Sequence, residues 1–195
     1  MGNRVATFFY YRRLITMITK VPNVVFHTRV RDDSVSGSNP YRWAQVSTFE
    51  LFGEKTVLAF SLPGAFTPTC STYQVPRFEE MYNKFRALGI DEVYCISVND
   101  AFVMNAWAKK QGIENVKMIP DGSGHFTRHM GMLVDKDNLG FGMRSWRYAF
   151  LARDQVIAGT WIEPGFKDLA QDDPYGETNP EKIYKDLLHY DYLGK

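Results

Sequence analysis

Cysteine is scarce in this chain: of 195 residues only two, Cys70 and Cys95, carry a thiol. That excludes a disulfide-stapled scaffold, and two ligands far apart in sequence do not make a zinc site. A reducing compartment is the simpler implication. A charge excess is also lacking, because 23 Lys and Arg face 22 Asp and Glu for a formal net charge of +1. No field of one sign points to nucleic acid or another polyanion as the partner. Long apolar runs are missing too, and none approaches the ~20 residues that a membrane-spanning helix needs. No internal repeat, linker or low-complexity tract interrupts the chain. With 45% apolar residues, it suits one globular domain with a full core.

Acid is absent from the first stretch, where Asp32 is the first carboxylate. Residues 1–16 carry Arg4, Arg12 and Arg13 among four aromatics, a composition faintly like an organellar presequence. The stretch lacks the serine richness and helical amphipathicity of a good presequence, and Ala6 rules out a myristoylation signal after Gly2. Residues 1–16 therefore read as a dispensable or targeting extension, and 17–195 as the folded domain, with Met17 a possible alternative start.

From there the chain alternates. Val24 to Val30 is strand-like and Asp32 to Pro40 is a loop rich in Ser, Gly and Asn. Thr56 to Ser61 is a central strand. Pro68 to Leu88 reads as one helix stopped by Gly89 and kinked at Pro76, with Val75, Phe78, Met81, Tyr82, Phe85 and Leu88 on its apolar side. Glu92 to Val98 is a buried strand, Asp100 to Gln111 a helix closed by Gly112, and Val116 to Ile119 a third strand. A short helix is predicted over 123–132, a hairpin from 147–151 to 156–162 across Arg153-Asp154-Gln155, and a terminal helix opened by Asn179 and Pro180. The expected architecture is α/β: a mixed central sheet covered by helices.

The chemistry gathers in Pro63-Gly-Ala-Phe-Thr67-Pro68-Thr-Cys70. After a strand, Thr67 and Pro68 read as the N-cap and first residue of a helix, so Cys70 falls in the first turn. Unpaired backbone N–H groups and the positive end of the helix dipole favour a thiolate there. Thr67, one turn before Cys70, places a hydroxyl on the same face, and Pro63, lacking an N–H, shields the sulfur from water.

Pro63, Thr67 and Cys70 also fit the Pro-x-x-x-Thr-x-x-Cys motif of the peroxiredoxins, and Gly64 to Ser71 resembles the subfamily of plant type II and animal type V enzymes. The likeness continues through Cys95-Ile-Ser-Val-Asn-Asp100, Asp121-Gly-Ser-Gly124 and Gly142-Met-Arg144-Ser-Trp-Arg147-Tyr148. It implies a thioredoxin-like fold and reduction of hydrogen peroxide and alkyl hydroperoxides through a sulfenic acid on Cys70. It further implies an arginine that hydrogen-bonds both thiolate and peroxide; the resemblance favours Arg147, and Arg144 is its rival from sequence alone. Gln74 stands where many relatives have histidine, so no histidine is assigned to catalysis.

Cys95 lies in a strand expected to be buried on both faces, about three residues, or roughly 10 Å, below the sheet edge that carries Cys70. A disulfide needs Cα atoms within about 7 Å. With the family's C-terminal resolving cysteine absent, a one-cysteine cycle follows, in which glutathione with glutaredoxin, or thioredoxin, reduces the sulfenic acid. The resemblance implies a homodimer paired through Phe66 and residues 125–130. No metal or cofactor is expected, nor a nucleic acid or membrane partner; the location is cytoplasmic, or an organelle if 1–16 is a presequence. His125 and His129 lack a third zinc ligand, residues 135–140 lack the oxygen and glutamate ligands of a calcium loop, and residues 121–124 lack a dinucleotide fingerprint. A dithiol oxidoreductase is disfavoured because Tyr73 replaces the second cysteine of Cys-x-x-Cys. A non-enzymatic redox sensor or holdase is the alternative reading.

Overall fold

The computed structural model describes residues 18–38 and 40–189, so the predicted extension 1–16 lies outside the described residues. β1 (Val25–Arg31) and β2 (Tyr41–Ser47) pair antiparallel. A short helix α1 (Thr48–Phe52) follows, begun by a reciprocal capping box in which Ser47 and Glu50 satisfy each other's backbone N–H groups. Next come β3 (Thr56–Leu62), a π-helical turn at Cys70–Gln74, and α2 (Val75–Ala87). β4 (Glu92–Ser97), α3 (Ala101–Gln111), β5 (Lys117–Pro120) and α4 (His125–His129) continue the alternation. β6 (Leu133–Asp135) and β7 (Met143–Ser145) form a small hairpin, then β8 (Tyr148–Arg153), β9 (Val156–Ile162) and α5 (Pro180–His189) complete the domain.

The central sheet has the order β5-β4-β3-β8-β9. Its first three strands run parallel and the last two antiparallel, the mixed sheet that the alternation predicts. Because side chains alternate with period two, β3 sends Leu58, Phe60 and Leu62 to one face and Val57 and Ala59 to the other. The first face packs on α2, α3 and α5 through Phe78, Phe85, Trp107 and Ile183, with Phe60 and Phe78 stacked at 3.8 Å between ring centroids. The second packs on α1 and α4 through Phe52 and Phe126. Burying one such phenylalanine contributes about 1.5 to 3 kcal/mol.

Three local features differ from the sequence reading. The helix does begin near Pro68, but it widens rather than merely kinking: in the turn Cys70–Gln74 the Val75 N–H bonds the Cys70 carbonyl, five residues back. Pro76 explains it, since it has no N–H for the Thr72 carbonyl and its ring would crowd that group in a regular helix. The β8–β9 turn has two residues, Asp154 and Gln155, both at positive φ (43° and 67°), because Arg153 still pairs with Val156. β2, α1, β6 and β7 have no counterpart in the sequence reading; β2, mostly exposed or half-buried, has too little apolar alternation to announce itself.

Candidate active site

β3 ends at the carboxyl edge of the sheet, and the chain turns through the buried Pro63 and Gly64 into the loop that carries Cys70. Asn99, at the same edge after β4, holds this loop: its Oδ1 accepts from the Ala65 N–H at 2.9 Å and from Ser97 Oγ at 2.7 Å. The predicted capping role of the Thr67 hydroxyl needs correcting for this structure. Thr67 Oγ1 donates backwards to the Gly64 carbonyl at 2.8 Å, fixing the turn rather than accepting a helix N–H. Phe66 sits at φ 63° and is exposed. Ser71, next to Cys70, receives the indole N–H of the buried Trp107 at 3.0 Å.

Cys70 is fully buried, and the group beside its sulfur is Arg147. Arg147 lies just before β8, the strand antiparallel to β3, which brings residues distant in sequence to the same edge. Its Nη1 donates to Cys70 Sγ at 3.4 Å and also to Gln74 Oε1. Its Nη2 donates to Asp173 Oδ1, and the ring of Tyr175 lies 5.7 Å from its central carbon. Burial opposes the charge, but the Cys70 sulfur and the Asp173 carboxylate outweigh it, so the guanidinium holds its proton more tightly than a free arginine. Arg144 is elsewhere: Nη1 donates to the Val98 carbonyl at 2.7 Å and Nε to the Phe141 carbonyl at 3.0 Å, bracing two loops. Of the two arginines, Arg147 is the one on the sulfur. Such an arrangement presents a buried nucleophile, a fixed positive charge and a forked donor together.

Cys95 lies in β4 opposite Phe60, two positions before the strand ends at Ser97. Burial first, then the charge of Cys70, pushes its thiol well up, so it stays neutral and poorly nucleophilic. Both cysteines are free. His125 and His129 are exposed on α4 and linked by a ring nitrogen contact of 2.7 Å to the His125 carbonyl. Among the described residues no group of three or more His, Cys, Asp and Glu is placed to hold a metal. Asp121, in the glycine-rich loop, caps α4 by accepting from the Phe126 and Thr127 N–H groups at 3.1 and 2.8 Å.

Sequence reasoning missed Asp173 and Tyr175. They lie in an irregular segment with no periodicity, and only the fold brings them to Arg147. Gln74 had a signal, since it stands one turn beyond Cys70 on the same face with an amide able to accept from a guanidinium.

Residues 39–173 match the Redoxin family. A peroxiredoxin from Rhizobium etli is 60% identical over 173 residues, covering 89% of this chain and 97% of its own. Among solved structures, the antioxidant protein of Plasmodium falciparum, described as a 1-Cys peroxiredoxin, superposes with a TM-score of 0.81 at 36% identity, covering 88% of this chain and 98% of that one. Reduced Prx3 from Vibrio vulnificus in complex with hydrogen peroxide gives a TM-score of 0.73 at 32% identity, over 87% of this chain and 94% of that one.

Proposed function

This chain belongs to the peroxiredoxin family, of the plant type II and animal type V kind, and from that premise we propose that Cys70 is its peroxidatic nucleophile and Arg147 the donor that orients the peroxide. The activity is that of a thiol peroxidase, which takes a hydroperoxide as substrate and a thiol as reductant. The observation that carries the assignment of roles is the 3.4 Å contact between Arg147 Nη1 and the buried Cys70 Sγ.

The steps follow from that contact. The Cys70 thiolate attacks the terminal peroxide oxygen in line with the O–O bond; the S–O bond forms as the O–O bond breaks. Charge moves to the leaving oxygen, which takes up a proton and departs as water or an alcohol. Arg147 supports the thiolate before the transfer and the peroxide oxygens during it, in a site from which water is excluded. Pro63 and Thr67 shape the turn, and the Thr67 hydroxyl, one turn before Cys70, is proposed to exchange the Gly64 carbonyl for a bound peroxide oxygen. Cys70 is left as a sulfenic acid. A reducing thiol then displaces water to form a mixed disulfide, and a second thiol releases Cys70 as the reduced form.

The buried, neutral Cys95 supports a cycle that uses no second cysteine of this chain. The reductant is glutathione with glutaredoxin, or thioredoxin, and the location cytoplasmic. The Vibrio relative, solved with hydrogen peroxide, supports a small hydroperoxide as substrate. Stopped-flow consumption of hydrogen peroxide, with glutathione and glutaredoxin supplied, tests the reading. Repeated turnover is expected, whereas one equivalent consumed followed by arrest, with either reductant system, is the behaviour of a sensor and would overturn it.

Homodimer pairing through the exposed Phe66 belongs to the same proposal. Of the second predicted contact segment, only His125, Arg128 and His129 face outward, while Phe126, Thr127 and Met130 are buried. The extension 1–16 is proposed to be dispensable for folding and turnover. Immediately after it the chain is tied to the β8–β9 turn: Val21 N–H donates to the Gln155 carbonyl at 2.8 Å, Ile157 N–H to the Thr19 carbonyl at 2.9 Å, and Val21 is buried. A protein starting at Met17 should melt and turn over as the full chain does. One starting at Val24 loses those bonds and the Val21 side chain, roughly 2 to 4 kcal/mol, and should melt several degrees lower. Equal melting of these two truncated forms would show that residues 17–23 do not stabilise the domain.

A further inference from the structure

The segment between β9 and α5 is a strap with fixed ends and a middle that grips the active-site arginine. At its near end the Leu169 N–H donates to the Asp135 carbonyl at 2.8 Å, and Lys136 Nζ, itself buried, donates to the Ala170 carbonyl at 3.0 Å. At its far end the buried Glu163 accepts through Oε1 from the Gly176 N–H at 2.9 Å, the Thr178 N–H at 2.8 Å and the Thr178 hydroxyl at 2.7 Å. Between them, Asp173 bonds Arg147 Nη2 and Tyr175 covers the guanidinium. Two charged side chains withdrawn from water to anchor a loop cost stability unless well paired, so the strap's position is tightly specified.

Resting on the reading of Arg147 as the peroxide-orienting donor, we propose that Asp173 is the positioning residue that holds this guanidinium in its working orientation. Arg147 offers two contacts on the side of Nη1, the Cys70 sulfur and Gln74, and both would tolerate rotation about the Cζ–Nη1 direction. The bond from Nη2 to Asp173 removes that freedom, leaving the plane of the fork fixed when the peroxide arrives. The pair is asymmetric: Arg147 has 1% of its side chain exposed and Asp173 has 42%. The carboxylate thus reaches a buried cation from a solvent-facing loop, and its hydration limits the cost of burying the pair.

Asp173 also carries a charge, which makes its role separable from mere loop packing. Among the described residues, the other shifted groups around Arg147 and Cys70 are Tyr175 and Cys95, pushed up by burial, and Lys136, pushed down by burial, while Glu181, Glu163 and Arg77 act on Tyr175. Asp172 and Lys167 act through Lys136 from farther out. Asp173 is the carboxylate in contact with the guanidinium among the described residues. Its negative charge offsets part of the attraction that Arg147 exerts on the thiolate. Neutralising it while keeping an acceptor should strengthen that attraction.

The test is peroxide oxidation of the full chain by stopped flow across pH, which reports a limiting rate and the midpoint of its rise. Asp173→Ala removes the acceptor and should lower the limiting rate about 10- to 100-fold, the loss typical of a misplaced catalytic group. Asp173→Asn keeps an acceptor for Nη2 and should lose about 3-fold or less, with its midpoint moved to lower pH. Asp172→Asn, one residue earlier, should leave both unchanged. A parental rate in Asp173→Ala, a midpoint raised in Asp173→Asn, or an equal loss in Asp172→Asn would overturn the proposal. If Arg147→Gln itself behaves as the parent, the failure lies in the role given to Arg147.

Discussion

Replacing Cys70 by Ser should abolish peroxide turnover, and replacing Cys95 by Ser should retain most of it with glutaredoxin as reductant. The two sulfurs differ in setting rather than in burial, for both are inaccessible in the resting fold. Cys70 has a guanidinium nitrogen at 3.4 Å, whereas Cys95 lies in the apolar cluster with Phe60 and Phe78, on the face of the sheet covered by α2, α3 and α5, with its thiol held neutral. A serine hydroxyl at position 70 is a far weaker nucleophile than a thiolate, because it is protonated at any working pH. At position 95 the serine places a hydroxyl in an apolar cluster, so a stability loss of about 1 to 3 kcal/mol accompanies the substitution. Peroxide turnover measured well below the variant's melting temperature separates the two effects. Lost activity in Cys95→Ser, together with an intramolecular disulfide in the peroxide-treated parent by mass spectrometry, would replace the one-cysteine cycle with a two-cysteine one.

The central sheet was legible because its strands are apolar runs bounded by turn residues. β3, β4 and β8 are almost wholly buried, and such strands read as continuous hydrophobic stretches. Asp100 and Gly112 bracket α3 as cap residues because a carboxylate can accept the first free N–H groups and glycine accepts a left-handed conformation. The motif around Cys70 carried the nucleophile because its chemistry is local. Arg147 needed the resemblance, since nothing in its neighbours distinguishes it from Arg144; the antiparallel pairing of β8 with β3 brings it to the sulfur while Arg144 reaches the loop after β4 and the loop before β7. Asp173 was out of reach altogether. Its function depends on where a strap without secondary structure crosses the sheet edge, and that is set by tethers from Lys136 and Glu163 that no spacing rule encodes. Ser47 and Glu50 are a different case: the Ser-x-x-Glu spacing of α1 is a capping box that a sequence can carry, although α1 is absent from the sequence expectations.

Arg147→Gln should produce two effects at once. It removes the fixed charge beside the Cys70 sulfur, so the rise of peroxide rate with pH should move to higher pH. It also removes the forked donor to the peroxide, so the limiting rate, reached when the thiolate is fully formed, should fall as well. Loss of one such donor in a buried site typically costs about 3 to 4 kcal/mol, or about 100- to 1000-fold in rate. The glutamine also leaves Gln74 and Asp173 without their shared cation, and a carboxylate facing the thiolate without that cation adds to the shift toward high pH. Arg147→Lys separates the contributions. An ammonium restores a positive charge and recovers part of the midpoint shift, but it is a compact donor that cannot engage Gln74, Asp173 and a peroxide in one plane, so most of the loss in limiting rate should remain. Rate against pH for the three proteins distinguishes charge from orientation. If Arg147→Gln leaves both quantities at parental values while Arg144→Gln lowers them, the arginine that serves the peroxide is Arg144, and the contact at the sulfur is structural.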